Sequence, residues 1–250
     1  MESLAQSWLV LILTSSAFYL GLIPVAQFLP AVLLGLYGGK IADRFPKRRI
    51  LVITQFCAAM LSIVLSILIF TDRIQLWHVF LIAALLGFVN AIDTPSRQAF
   101  VSEMVPKEDL VQAISLNSAV FNAGRLIGPA AAGVVLAAIG PAWCFLVNGL
   151  SFFAVIIQLL RMDESKLFQS AVRRGNNSIR EGISYAIHHA VIMRTILIIG
   201  FVSTFAMNFN VWMPLLAKDT FDIGAGGFGL LMSMLGLGSL SGALSLAFIG

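Results

Sequence analysis

Seven stretches of this chain run for at least fifteen residues with no Asp, Glu, Lys or Arg: 3–39, 50–71, 74–92, 110–124, 126–160, 195–217 and 223–250. A bilayer crossing takes about 20 apolar residues in a helix, so most of these stretches are long enough to span. A water-soluble globule is excluded. Of the 250 residues 59% are hydrophobic and only 11% charged, against about 25% charged in ordinary soluble domains. The expected fold class is therefore an all-α membrane protein embedded in a lipid bilayer. A pI near 9.4 would suggest nucleic acid in a soluble protein. In a polytopic chain the placement of basic residues reports topology instead, and no nucleic-acid partner is expected.

Charge, proline and glycine mark the breaks between spans. The tract 3–39 would make about 55 Å of helix, too long for one crossing, so it should divide near Thr14-Ser15-Ser16. The predicted elements are a short piece at 3–14 and spans at 17–41, 49–71, 74–95, 110–138, 142–161, 194–216 and 226–250. Thirteen Lys and Arg then fall on one side: Lys40, Arg44, Lys47, Arg48 and Arg49; Arg97 and Lys107; and six from Arg161 to Arg194. The other side holds only Arg73 and Lys218. By the positive-inside rule the basic loops are expected to be cytoplasmic, in an inner (plasma) membrane.

The connection 162–193 carries Ile179, Ile183, Ile187 and Val191 at a spacing of four, with Arg180, Glu181, Ser184 and His188 on the opposite helix face. It reads as an amphipathic helix on the membrane surface or as a linker helix packed on neighbouring loops. Either way it separates residues 1–161, six spans of which the first is incomplete, from the start of a second bundle at 194–250.

Two motifs carry chemistry. The loop after the second span reads Gly39-Lys40-Ile41-Ala42-Asp43-Arg44-Phe45-Pro46-Lys47-Arg48-Arg49. A positive-inside anchor explains the basic residues but not Gly39 and Asp43 at fixed offsets. The fifth span contains Gly124-Arg125-Leu126-Ile127-Gly128-Pro129-Ala130-Ala131-Ala132-Gly133. Its small residues at a spacing of four allow close helix contact, while Pro129 removes a backbone donor and invites a bend.

The first motif closely resembles the signature loop of the major facilitator superfamily, with Pro46 replacing the usual second glycine and Lys47 an arginine. The resemblance implies a fold of two six-helix bundles, of which this chain supplies the first bundle and the first two helices of the second. It also implies a gating loop of Gly39, Asp43, Arg44, Lys47 and Arg48, in which Asp43 and Lys47 join a charge network. The second motif is similar to the family's antiporter motif, with Ala132 in place of a glycine. It places antiporter-like roles on Gly124, Gly128, Pro129 and Gly133 and favours export over import. The stretch Ala99–Leu150 most resembles the branch of siderophore exporters and macrolide efflux proteins.

Single polar residues remain to be placed. Arg125, near the middle of the fifth span, costs about 2.5 to 3.5 kcal/mol on insertion scales. It is either a substrate or coupling charge, or a clamp on carbonyls or Asn122. Asp93 either pairs with Arg97 one turn on or, as the resemblance implies, joins the loop's charge network. Gln27, Asn90 and Asn208, like Asn148 and Asn210, suit either a transport pathway or interhelix hydrogen bonding. His188 and His189 diverge on a helix and share no metal, and Cys57 and Cys144 sit in apolar tracts as small hydrophobes. No phosphate-binding loop, metalloprotease helix or nucleophile elbow is present.

The expectation is a secondary active transporter, not an enzyme, that exports a small hydrophobic or amphipathic molecule of drug or siderophore class by alternating access. No cofactor and no metal are called for. The proton is implied by the family alone, since the arginine motif of proton antiporters is absent from 74–92. Two alternatives stay open: a partner-dependent half-transporter, and an importer of the same fold. The chain reads as a fragment whose helices nine to twelve would come from an intact chain or another subunit.

Overall fold

The computed structural model describes residues 2–168, 184–185, 187–205 and 209–249, and among these finds helices and no strand. The elements are α1 (Glu2–Thr14), α2 (Ala17–Arg44), α3 (Lys47–Phe70), α4 (Leu76–Glu103), α5 (Leu110–Ile139), α6 (Pro141–Arg161), α7 (Ala190–Phe205), α8 (Phe209–Leu215) and α9 (Gly224–Ile249). Helices α2 to α6 are each long and apolar enough to cross a bilayer. The break between α1 and α2 falls at Thr14-Ser15-Ser16 as the sequence suggests. The Thr14 hydroxyl donates to the Val10 carbonyl, and Ser15 takes a left-handed φ of 48° that ends the helix.

One predicted span is corrected. The fourth does not stop at 95: α4 runs through Pro95 to Glu103, since a proline removes one hydrogen bond and need not end a helix that its neighbours hold. Of the span predicted at 194–216, α7 and α8 cover 194–205 and 209–215 as helix, and residues 206–208 lie outside the described residues. Beyond α8 the chain widens into a π turn over Leu216–Thr220, just after Pro214, where the regular ladder loses a donor.

The described helices pack chiefly in three seams, α2 on α4, α3 on α6 and α5 on α9, with α3 also along α4. Two seams share one device. Pro95 lacks the N–H that the Ala91 carbonyl would accept within α4, and Gly38 of α2 lies against that carbonyl, so that a Cβ on Gly38 would sit 2.1 Å from the oxygen. Pro129 likewise frees the Arg125 carbonyl within α5, and Gly236 of α9 packs there, 3.2 Å from it at the Cβ position. Close backbone approach at a freed carbonyl permits Cα–H···O contacts in place of the lost bond.

The core joins α1 to both parts of the chain: Leu9, Leu65, Val79, Phe145, Ala217 and Phe228 belong to one buried cluster, and Trp8 stacks on Phe228 with centroids 5.9 Å apart. Lys218, in the π turn, donates to the Leu11 carbonyl at 3.3 Å and to the Ser15 hydroxyl at 3.2 Å. It thereby supplies the cation that the last turn of α1 lacks. Much of the outward surface is apolar, with Val32, Val111, Val120, Ile127 and Val134 all exposed.

Candidate functional site

Helix α3 opens with Lys47-Arg48-Arg49 and no acidic residue in its first turn, the opposite of what a helix dipole favours. The structure compensates from elsewhere. Lys47 Nζ pairs with Glu103 Oε1 of α4 at 3.0 Å, with both side chains nearly buried. Arg48 donates through Nε and Nη2 to the carbonyls of Leu159 and Leu160, the orphan acceptors at the end of α6, and through Nη1 to Glu164. Beneath them Leu51, Phe100 and Leu159 form a small apolar cluster, and the Phe168 amide donates to the Glu103 carbonyl. The basic loop is thus a three-helix clamp that ties the start of α3 to the ends of α4 and α6. Just past α6, hydrogen bonds from the Ser165 hydroxyl and amide hold the Asp163 carboxyl below its usual value.

This geometry corrects the charge network. Lys47 meets Glu103, 56 positions away, and not Asp43. Asp43 and Arg44 are exposed, and Asp43 has no ion pair among the described residues. The reason is geometric: α2 ends at Arg44, and Phe45-Pro46 turns the chain so that α3 presents its first residues to α4 and α6. The glycine shifts by one as well. Gly39 has nothing within 4 Å of its Cβ position, whereas Gly38 makes the close contact.

Further into the bundle Asp93 is buried and fully engaged. Its Oδ1 accepts from the Thr54 hydroxyl at 2.7 Å and the Gln55 amide at 2.8 Å, and its Oδ2 from Arg97 of the next turn. The local pair with Arg97 is present, while the interhelix partners are the uncharged Thr54 and Gln55 and not the charges of the basic loop. Asp93, Arg97, Gln55, Asn90 and Gln27 line a cavity of about 160 Å³ that also reaches Glu2 of α1. A neighbouring cavity of about 450 Å³ between α2 and α4 shares Gln27 and Asn90. Two of the three uncharged candidates thus share one polar pocket. The third, Asn208, lies outside the described residues. Gln27 also donates to Gln6 of α1, and Asn148 of α6 donates to Glu2 at 3.0 Å and to Ser62 at 3.3 Å.

The second motif divides. Gly133 meets Gly229 of α9 so closely that a Cβ would lie 2.6 Å from its Cα, while Gly124 touches nothing within 4 Å of its Cβ position. Gly128 and Pro129 are half-buried. Arg125 is exposed, its guanidinium 6.0 Å over the Phe121 ring, and it has no ion pair among the described residues. Asn122 bonds the Ser118 carbonyl of its own helix and not Arg125, so the predicted clamp to Asn122 is absent. Of the amphipathic stripe, Ile179 and Ile183 lie outside the described residues. Ile187 and Val191 are exposed.

Glu103, Thr54, Gln55, Glu2 and Gln6 are the participants that sequence reading missed. One signal was available for Glu103: like Asp93 it is an acidic residue on α4, at the same end as the basic loop.

The chain matches the family described as transmembrane secretion effector over residues 1–250. It is 29% identical to the staphyloferrin A transporter of Staphylococcus aureus, over 96% of this chain and 61% of that protein. To the enterobactin exporter EntS of Shigella flexneri it is 24% identical, over 96% and 53%. To the multidrug efflux pump Tap of Mycolicibacterium fortuitum it is 26% identical, over 84% and 52%. The chain thus spans about half the length of the curated relatives it matches. Helices of membrane length, the basic-loop clamp and this similarity along its whole length agree: the chain is a multi-pass membrane protein of the transmembrane secretion effector family of the major facilitator superfamily.

Proposed function

We propose that this chain belongs to a secondary active transporter that exports a small hydrophobic or amphipathic molecule, of drug or siderophore class, by alternating access driven by an ion gradient, most simply protons. The observation that carries it is the polar pocket of Gln27, Asn90, Gln55 and Asp93 enclosed within helices much of whose outward surface is apolar. Polar groups at membrane depth are costly, and where several converge on a cavity they mark a substrate or ion path. The relatives named as an enterobactin exporter and a multidrug efflux pump support outward transport. In the same reading residues 1–161 form one bundle, 162–193 a linker and 194–250 the start of another, with the basic loops on the cytoplasmic face of the plasma membrane.

The test is export of preloaded ethidium and of an iron-free catecholate siderophore from an efflux-deficient host expressing the intact reading frame, with Asn90→Leu beside it. Energised export that Asn90→Leu reduces at least several-fold supports the proposal. No movement of either probe by a protein shown to be folded and in the membrane overturns it.

A further inference from the structure

Toward the end opposite the basic loops, residues 1–161 meet residues 209–249. The Trp8 ring of α1 stacks on Phe228 of α9, and Gly133 of α5 abuts Gly229. At the tip of α1, Lys218 donates to the Leu11 carbonyl at 3.3 Å and to the Ser15 hydroxyl at 3.2 Å. At the basic end the ion pairs of Lys47 and Arg48 close within residues 1–164. No ion pair among the described residues reaches α7, α8 or α9.

The two ends are held by different chemistry. Lys47 and Glu103 pair nearly out of water, so breaking them apart strands a charge and the clamp is lasting. Lys218 is half-buried and has no carboxylate partner among the described residues. Both its acceptors are neutral. The Leu11 carbonyl already accepts the Ser15 amide at 3.0 Å, so Lys218 takes the second lone pair of a carbonyl at a helix end. Hydrogen bonds of this length contribute modestly, and letting go returns the ammonium to water. The link is therefore reversible. Lys218 also lies in the π turn Leu216–Thr220, a rare geometry frequent at functional positions. The Trp8 and Phe228 rings meet at 21°, a stacked contact that can part without leaving a polar group unpaired.

We propose that Lys218 is a latch between the two parts of the chain, closing the end opposite the basic loops while it holds Leu11 and Ser15 and opening that end when it lets go. Ser15 is its keeper, set by a left-handed φ of 48° at the turn that follows α1. Closure rests on the geometry itself; its use as a step in a transport cycle rests on the transport reading above.

The experiment is labelling of the intact reading frame by an impermeant maleimide, in cells before and after permeabilisation, with Cys57 and Cys144 replaced by Ala. The reporter is Ser7→Cys, at a buried position one turn deeper on the face of α1 that carries Leu11. The control is Ser62→Cys, at a position with no exposed surface whose hydroxyl bonds the Phe145 carbonyl of α6. Lys218→Met, which keeps an apolar stem and removes the donors, should speed reaction at Ser7→Cys several-fold and leave Ser62→Cys unreactive. Ser15→Gly keeps the left-handed turn and removes the hydroxyl; it should give a smaller rise, and it decides the matter if Lys218→Met folds poorly. Lys218→Arg, still a donor, should keep the slow rate. Reaction at Ser7→Cys that is indifferent to Lys218→Met and Ser15→Gly, before and after permeabilisation, overturns the latch, as does an equal rise at Ser62→Cys. A rise confined to permeabilised cells supports the latch and places it on the cytoplasmic face. If Ser7→Cys responds as expected while ethidium and siderophore export are absent, the transport reading fails and the latch stands.

Discussion

Lys47 and Glu103 concentrate the risk at the basic end. The two charges are nearly out of water and answer one another at 3.0 Å, so removing one leaves the other stranded. Such a loss is typically worth about 3 kcal/mol, while exchanging both for apolar residues of similar size is close to neutral. Glu103→Gln should therefore lower the melting temperature in detergent clearly, and Lys47→Met combined with Glu103→Leu should recover most of the loss. Equal melting of the single and double variants would show that the pair is not coupled. Asp43→Asn, at an exposed position without an ion pair among the described residues, should leave the melting temperature unchanged. Arg48 acts differently, since it holds two orphan carbonyls and Glu164 at once. Lysine lacks the guanidinium fork for that work.

At the scale of elements, the seams depend on glycines facing proline-freed carbonyls. A Cβ on Gly38 would lie 2.1 Å from the Ala91 oxygen, whereas one on Gly39 would meet open space. Gly38→Ala must push α2 off α4, at about 1 to 3 kcal/mol for overpacking. Gly39→Ala should be neutral or stabilising by up to about 1 kcal/mol, because alanine is the better helix former. Thermal melting of the two variants side by side checks this, and a reversed order would refute the seam as described. The sequence motif pointed to the right helix end but to the neighbouring glycine. A loop pattern shows that close approach occurs, while the rotation of α2 about its axis decides which residue makes it.

For the whole molecule, the charge bias sets a topology that the bundle must respect. Asp163, after α6, and Asp72, between α3 and α4, belong to opposite ends. With Cys57 and Cys144 replaced by Ala, a cysteine at 72 should react with an impermeant maleimide on intact cells. One at 163 should react only after permeabilisation. The reverse pattern would invert the orientation proposed here and with it the direction of transport.

Membrane residence, most helix boundaries, the basic loop and the α5 packing motif were legible in the sequence, because the cost of placing charge or unpaired backbone in hydrocarbon acts locally and dominates every other term. The tertiary structure alone decided that Lys47 meets Glu103, that Arg48 holds the end of α6 and that Glu2, Gln6, Gln27 and Asn148 converge from three helices. Those contacts join residues up to 146 positions apart. They depend on which face each helix turns to its neighbours, and near-uniformly apolar helices carry almost no periodic signal of that rotation.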